Sequence, residues 1–473
     1  MIVFILYWVM PGKYRWFILL GASYYYYFSW NPRYLLTLII ITISAYLFAL
    51  LIEKRDNKKV YLIVGVGLIL SSLCAVKYSV FALNIFNDVF NAFSIYKINN
   101  SITMEIIAPI GISFYTFQSI SYLLDVYNGK LMTEKHIGKL AVFISFFPKL
   151  LSGPIEKADK FLPQLSCERQ FSYDNAVYGL RLILIGLFKK MVVAGILSEY
   201  VNKVFDNVFT YSGGVFIIII FLYSIQIYCD FSAYSDIAIG LSKILGIDLM
   251  YNFRSPYFSK SVKSFWRNWH ISLSTFFKDY VYIPLGGSRV KKWKLYRNIL
   301  ITFLISGLWH GANVTYIIWG GLHGLFQIVE SLISSLLRRL NIKFIKYQHN
   351  YFKNSIKIIL TFSCVSFAWI FFRAKSISEA TYIISHIFSG ILNPKNYLIN
   401  IQSGIGIKSN ILRICIPVIL IGVFDFFSLK RDLLKEIEKL NLLLRWGIYV
   451  CVIIMIITLT PEVGNKEFIY FKF

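Results

Sequence analysis

Residues Ile299–Leu337 form a long, mainly apolar run that reads ILITFLISGLWHGANVTYIIWGGLHGLFQIVESLISSLL. A helix that crosses a bilayer needs about 20 residues, so this run is too long for one span. Glycines punctuate it at Gly307, Gly311, Gly320, Gly321 and Gly324. Pairs of glycines four residues apart let two helices approach closely. The run therefore predicts two spans or a broken helix, with its irregular backbone buried in protein or lining a cavity.

Comparable apolar runs recur along the whole chain of 473 residues, of which 57% are hydrophobic and only 15% are charged. Soluble proteins average about 45–50% apolar and about 25% charged residues, so a soluble, disordered or fibrous protein is excluded. The other runs of spanning or nearly spanning length lie near Trp16–Trp30, Tyr34–Ile52, Tyr61–Val76, Ile106–Leu124, Leu140–Ile155, Ala176–Leu197, Val215–Cys229, Ile356–Phe372, Ile411–Phe427 and Leu442–Thr460. We predict an all-α polytopic membrane protein of about eleven transmembrane helices with re-entrant pieces, in a single domain over residues 1–473.

The net charge is strongly positive, with 49 lysines and arginines against 24 carboxylates, or +25. About half of these cations lie in four basic stretches, Glu53–Lys59, Met250–Asn298, Arg338–Lys357 and Lys430–Arg445. Cytoplasmic loops carry such an excess, so we place the stretches inside, facing anionic lipids rather than nucleic acid. One span then follows, which puts the tail Pro461–Phe473 on the outer face.

Several catalytic signatures are missing from the sequence. It contains no GxSxG elbow, no HxxxxD acyltransferase motif, no HExxH zinc motif and no Walker A loop. The six cysteines are scattered without a CxxC pair, so neither a disulfide framework nor a metal site is predicted. What remains is a histidine in a membrane cavity without an obvious nucleophile, which suits general-base activation of a substrate hydroxyl.

Two of the six histidines, His310 and His323, fall within the glycine-rich run. An ionisable side chain at membrane depth is costly and is a functional candidate. The alternative is a neutral imidazole bonded to a backbone carbonyl at a helix contact. Thirteen residues apart, the two histidines occupy different faces of a continuous helix and need not share a site. His270 follows Trp266 and Trp269 in an interfacial or re-entrant stretch, where a histidine without chemistry is the alternative.

Two aspartates, Asp230 and Asp236, also lie in an apolar segment. Their spacing of six residues does not suit a carboxylate dyad on one helix. We expect them to pair with arginine or lysine of the basic stretch Met250–Asn298, which would be a structural role. Trp309, Asn313, His323 and Asp236 are the candidates for lining the site around His310.

Long motifs identify a family. SFWRNWHISLSTFFKDYVYIPLGGSR (Ser264–Arg289) is followed by GLWHGANVTYIIWGGLHG (Gly307–Gly324), and both resemble the membrane-bound O-acyltransferase superfamily, especially its bacterial alginate O-acetyltransferase branch. Ala108–Gly129, Phe146–Ile155 and Tyr228–Gly240 fit the same branch, so the resemblance runs from Trp16 to the C-terminus. It implies a ring of helices around a central tunnel in the bacterial cytoplasmic membrane, which joins a cytoplasmic donor to an acceptor on the opposite side.

The resemblance also implies roles for residues. His310 matches the catalytic histidine, the general base, and His270 matches a second characteristic histidine that lines or positions the site. No step is assigned to His323. The implied reaction is acetyl transfer from a thioester, probable donor acetyl-CoA, with no bound cofactor. Lysines and arginines of Met250–Asn298 are candidates to meet the phosphates of the donor, although membrane topology alone also explains them.

The C-terminal tail FIYFKF (Phe468–Phe473) resembles that of the small acyl-carrying partner in teichoic-acid D-alanylation. That likeness makes Tyr470 a candidate acyl relay, against an aromatic belt at the membrane interface. Similar tails usually read FIYFQF, so Lys472 is a departure that leaves the tyrosine in place. A secreted or membrane-anchored acetyltransferase partner on the outer face is expected to complete the transfer to a polysaccharide.

Two other functions remain open from the sequence. The first is transfer of D-alanine or another acyl group from a carrier protein, although the YIPLGGSR segment favours the acetylating branch. The second is a polytopic transporter for a glycan or lipid, which would also bury ionisable groups at mid-membrane. The absence of a detectable internal repeat and the WHG segment argue against the transporter.

Overall fold

A computed structural model of the chain describes residues 1–78, 109–340, 351–393, 395, 397, 407–461 and 468. Every element in these residues is helical, which confirms the predicted all-α class. The helices are α1 (Ile2–Val9), α2 (Arg15–Phe28), α3 (Pro32–Lys54), α4 (Lys58–Lys77), α5 (Ile112–Tyr127), α6 (Ile137–Ser145), α7 (Ala158–Ser166), α8 (Tyr173–Leu187), α9 (Gly195–Phe205), α10 (Gly214–Ile244), α11 (Val262–Asn268), α12 (Ile271–Phe277), α13 (Lys292–His310), α14 (Val314–Arg339), α15 (Tyr351–Arg373), α16 (Ile377–His386), α17 (Ile407–Ser428), α18 (Leu433–Glu436) and α19 (Leu442–Leu459).

Seven helices of the described residues are long and apolar enough to cross a membrane. They are α3, α4, α10, α14, α15, α17 and α19. The membrane class is thus supported directly by helix length and composition. The count of eleven spans stays a prediction, and part of the run near Ile106–Leu124 lies outside the described residues.

The apolar run Leu140–Ile155 differs from the expected spanning helix. Helix α6 ends at Ser145, and the chain then continues through a non-helical segment to Lys157. Pro148 and Pro154 each lack a backbone N–H and disfavour helical geometry in the residue before them. Apolar composition predicted the burial of this segment but not its backbone, because the prolines override the hydrophobic pattern.

The chain falls into two compact units, of which the first comprises residues 1–179 and 238–250. Within it, α3 packs against α4 and α5. Gly111, with a φ of +81°, precedes α5 and approaches the non-helical segment so closely that an added Cβ would lie 2.6 Å from the Leu150 carbonyl oxygen. Only glycine combines that backbone conformation with that contact.

The second unit comprises residues 180–237 and 251–473 and holds all three histidines of interest. Its buried core includes four tryptophans, namely Trp266, Trp269, Trp319 and Trp369. Helix α8 passes into α9 through a π-helical turn at Phe188–Ala194, and a second π-helical turn, Lys278–Tyr282, follows α12. Such turns occur mostly inside α-helices and frequently at functional sites.

The predicted break in the glycine-rich run is confirmed. Helix α13 ends at His310, α14 begins at Val314, and the two pack as a hairpin. A Cβ on Gly307 would lie 2.3 Å from the Tyr316 carbonyl oxygen, and one on Gly320 would lie 2.2 Å from the Phe303 carbonyl oxygen. The glycines therefore allow backbone contact between the two helices, as their spacing predicts.

Candidate functional site

His310 is the last residue of α13 and is buried within a cage of aromatic rings. Its ring centroid lies 4.8 Å from that of Trp309, 4.8 Å from that of Trp319 and 5.3 Å from that of Phe372. The next residue, Gly311, packs against the ring of Tyr316. Because glycine has no side chain, Gly311 does not cover the neighbouring His310. Three aromatic rings thus surround the His310 imidazole.

His323 lies one helical turn after Trp319 on α14 and is fully buried. Its ring centroid lies 5.0 Å from that of Trp319, and its Nδ1 accepts a hydrogen bond of 3.2 Å from Trp266 Nε1. Trp319 thus contacts both His310 and His323. The placement on different faces applied to a continuous helix, whereas here the break between α13 and α14 folds the run back on itself and brings both histidines to one tryptophan.

His270 immediately precedes α12 and has a left-handed backbone, with φ 42° and ψ 57°. Asn252 holds the start of that helix, because its carbonyl oxygen accepts from Ile271 N at 2.9 Å and its Oδ1 accepts from Ser272 N at 3.2 Å. A left-handed residue other than glycine costs roughly 1–3 kcal/mol and persists only where surrounding contacts impose it.

The His270 side chain is fully buried rather than exposed at an interface. Its ring centroid lies 4.6 Å from that of Phe231 and 6.1 Å from that of Trp309. Burial lowers the pKa of His270 to about 3, so the imidazole is neutral at physiological pH. Through Trp309 and Trp319, the fold brings together all three histidines that the sequence selected.

A cavity of about 750 Å³ lies beside this aromatic cluster. Its walls include Trp266, whose indole bonds His323, and Ser306, which lies one helical turn before His310. The charged groups that line it in the described part of the chain are Lys263, Arg267, Lys278, Arg338 and Glu330. Four cations against one carboxylate make the cavity suited to an anionic ligand.

The two aspartates pair with lysine, but not with lysine of the basic stretch. Asp236 Oδ2 lies 2.8 Å from Lys189 Nζ, and Asp230 Oδ1 lies 2.6 Å from Lys190 Nζ. Both lysines belong to the π-helical turn at Phe188–Ala194. The expected source of the partner is thus wrong. Two adjacent lysines inside an apolar run were the signal that the sequence reasoning missed.

The remaining predicted site residues take different positions. Asn313 caps α14, since its Oδ1 accepts from Thr315 N at 3.0 Å and its Nδ2 donates to the Lys375 carbonyl at 3.0 Å. Trp309 packs between His270 and His310. Tyr470 lies outside the described residues. In the described part of the chain, no three metal-ligating side chains gather in one group.

Phe468 is the described residue of the aromatic tail. Lys190 Nζ lies 4.2 Å from its ring centroid, and the Tyr234 ring packs edge-on against it with centroids 5.1 Å apart. Pro461, where the tail begins, lies next to Gly195 at the start of α9. The tail therefore contacts the same lysine that pairs with Asp230.

The comparisons with known proteins agree on one family. Residues 132–372 match the MBOAT, membrane-bound O-acyltransferase, family. A probable alginate O-acetylase of Pseudomonas aeruginosa is 36% identical over 81% of this chain and 72% of its own length. The peptidoglycan O-acetyltransferase of Helicobacter pylori is 35% identical over 78% of this chain and 72% of its own length.

A third relative has a different name and a shorter match. The teichoic acid D-alanyltransferase of Bacillus subtilis is 30% identical over 57% of this chain and 70% of its own length. The relatives named for O-acetylation are thus similar over more of this chain than the one named for D-alanylation.

Proposed function

We propose a specific reaction for this chain, which belongs to the membrane-bound O-acyltransferase family. The chain is a membrane O-acyltransferase, and in our proposal it takes acetyl groups from acetyl-CoA in the cytoplasm for O-acetylation of a cell-envelope or exported polysaccharide. The observation that carries the proposal is a cavity lined by four cations, whose wall residue Trp266 donates a hydrogen bond to the buried His323. The membrane in question is the bacterial cytoplasmic membrane.

His310 acts as the general base. Its imidazole takes the proton of an acceptor hydroxyl while the hydroxyl oxygen attacks the carbonyl carbon of the thioester. The tetrahedral intermediate then collapses, the carbon–sulfur bond breaks, and the departing thiolate takes the proton from His310. The products are an acetyl ester and the free thiol of CoA. Burial of the site limits hydrolysis of the thioester by water.

The charges of the cavity favour CoA as the donor. CoA carries three phosphate groups, and Lys263, Arg267, Lys278 and Arg338 supply four cations at the cavity wall. Charge-assisted bonds from lysine and arginine to phosphate are among the strongest polar contacts in proteins. Two of the relatives are also named for O-acetylation, one of alginate and one of peptidoglycan.

On the outer side, Tyr470 is proposed as an acyl relay. Its phenolic oxygen would receive the acetyl group as an ester and pass it to a secreted or membrane-anchored acetyltransferase. Support comes from Phe468, two residues earlier, which packs against Lys190 and Tyr234. Mass spectrometry of the C-terminal peptide from active cells tests this step. An unmodified Tyr470 together with full activity in Tyr470→Phe would contradict it.

The decisive test of the reaction is release of CoA thiol from acetyl-CoA by the full-length chain in lipid nanodiscs with its acceptor system. We expect His310→Gln to lower kcat by about 10²–10⁴-fold, the usual contribution of a general base. His386→Gln is the matched control, because that histidine bonds Tyr382 and Ser385 in α16 and should retain full activity. Acetylation that survives in His310→Gln would contradict the assignment.

Transfer of D-alanine or another acyl group from a carrier protein is the second candidate, favoured only by the shorter match to the teichoic acid enzyme. Acyl-loaded carrier protein offered in place of acetyl-CoA distinguishes the two donors. Membership of an acyltransferase family favours an enzyme over the glycan or lipid transporter.

A further inference from the structure

Two hydrogen-bond donors beside His310 are buried without a partner among the described residues. Trp319 Nε1 and His323 Nε2 make no hydrogen bond to any described residue, and both side chains are fully buried. Buried polar groups are almost always paired in native proteins, because an unpaired donor loses its hydration and gains nothing in return. Two neighbouring donors of this kind mark a place where an atom of a bound ligand can accept their hydrogen bonds.

The hydrogen bond from Trp266 determines the tautomer of His323. Trp266 Nε1 carries the proton and donates to His323 Nδ1 at 3.2 Å, so Nδ1 acts as the acceptor. A neutral imidazole with an accepting Nδ1 carries its proton on Nε2. His323 Nε2–H is therefore a donor, as indole Trp319 Nε1–H always is.

Both donors belong to the aromatic cluster around His310, the proposed base. The Trp319 ring centroid is 4.8 Å from that of His310 and 5.0 Å from that of His323. Trp266 joins this group to the donor cavity, since it lines the cavity and bonds His323. In the proposed reaction, a thioester that passes Trp266 from the cavity would reach the base and the two N–H groups in this one cluster.

We propose that Trp319 Nε1–H and His323 Nε2–H form the oxyanion hole of this enzyme, an inference that rests on the acetyl transfer proposed above. When the acceptor oxygen bonds to the carbonyl carbon, the carbonyl π electrons move onto oxygen, and the two N–H groups donate to that oxyanion. When the carbon–sulfur bond breaks, the electrons return and the carbonyl re-forms. No proton leaves either donor, so His310 alone carries the transferred proton.

Trp266 has a distinct positioning role in this scheme. Without its N–H at Nδ1, the proton of His323 is free to occupy either nitrogen, and the donor at Nε2 is lost for part of the time. Trp266→Phe should therefore lower kcat less than loss of the histidine itself does.

The test uses variants that keep the ring packing or the donor. We expect Trp319→Phe and His323→Leu each to lower kcat about 10²–10³-fold, the usual loss on removing one oxyanion donor. His323→Gln, whose amide N–H reaches the Nε2 position, should restore much of that loss. KM for acetyl-CoA should change little, because the donors act mainly in the transition state.

Two CoA analogues separate catalysis from packing. A trifluoromethyl ketone analogue of acetyl-CoA hydrates to a tetrahedral gem-diol that mimics the intermediate, whereas an alkyl thioether of CoA has no carbonyl oxygen. Trp319→Phe should weaken binding of the ketone in parallel with kcat and leave binding of the thioether unchanged.

Equal loss for both analogues, or a folded Trp319→Phe with kcat within threefold of the wild type, would overturn the oxyanion hole. Wild-type protein that releases no thiol from acetyl-CoA would instead overturn the proposed reaction. The two failures are thus distinguishable in one set of measurements.

Discussion

His270 shows how one residue combines backbone strain with burial. Its left-handed backbone and its fully buried, neutral imidazole both oppose the ordinary preferences of histidine. The rings of Phe231 and Trp309 pack around the imidazole, and Asn252 holds the two residues that follow it, Ile271 and Ser272. Strain of this kind concentrates at functional sites, which agrees with a positioning role beside His310.

Burial of His270 predicts a pH dependence of stability. The pKa of His270 falls from 6.5 to about 3 on folding. Below pH 6.5 the imidazole is therefore protonated in the unfolded chain but stays neutral in the folded chain. Stability is therefore complete above pH 6.5 and declines as the pH falls toward 3, by about 2 kcal/mol at pH 5. Denaturant unfolding in detergent at pH 7 and pH 5 measures this change.

The matched variant for that measurement is His270→Asn, since asparagine tolerates a left-handed backbone and does not titrate. Its stability should fall less than that of the wild type between the two pH values. An identical fall in both proteins would show that other groups account for the acid sensitivity.

At the scale of elements, the close packing of α13 against α14 depends on glycines that contact the backbone of the opposite helix. Gly307 and Gly320 each face a carbonyl oxygen of the other helix, whereas the added Cβ of Gly321 would meet only Leu304 Cδ2 at 3.5 Å. That last distance is ordinary van der Waals contact. Adjacent glycines in one motif therefore have different structural importance.

We expect Gly320→Ala to force the two helices apart and to cost about 1–3 kcal/mol, as overpacked cores do. Separation of the helices also moves His310 away from Trp319, so acyl transfer should fall with stability. Gly321→Ala is the control and should leave both properties near wild type. Parallel measurement of thermal unfolding and CoA release compares the variants, and equal effects of the two alanines would contradict the packing argument.

For the whole molecule, charge asymmetry predicts the orientation in the membrane. The basic stretches, including Glu53–Lys59 and Lys430–Arg445, favour the cytoplasmic side, and α19 then leads outward to the tail. With this orientation, the thioester donor of the proposed reaction and the tail would lie at opposite membrane faces.

Reporter fusions test that orientation. Alkaline phosphatase is active only on the outer side of the cytoplasmic membrane. The reporter fused after Phe473 should therefore be active, and the reporter fused after Asn57 should be inactive. A green fluorescent protein at the same positions should give the reverse pattern. Phosphatase activity at Asn57 and not at Phe473 would invert the assigned topology.

Much of the protein could be predicted from local pattern. The apolar runs predicted an all-helical membrane chain, the glycines predicted the break near His310, and the motifs predicted an O-acyltransferase. The run Leu140–Ile155 was misjudged because prolines control its backbone. The partners of Asp230 and Asp236 were misjudged because contacts between distant residues leave no periodic trace.

Composition and spacing alone determine the fold class, the helical break and the choice of candidate histidines, since each depends on neighbours along the chain. Only the tertiary structure decides that His270, His310 and His323 meet around Trp309 and Trp319. It also decides which nitrogen of His323 carries the proton, because that depends on a bond from Trp266, 57 residues away. The chain folds back at the glycines and brings histidines that are distant in sequence into one site. The spacing of residues along the chain does not predict this contact.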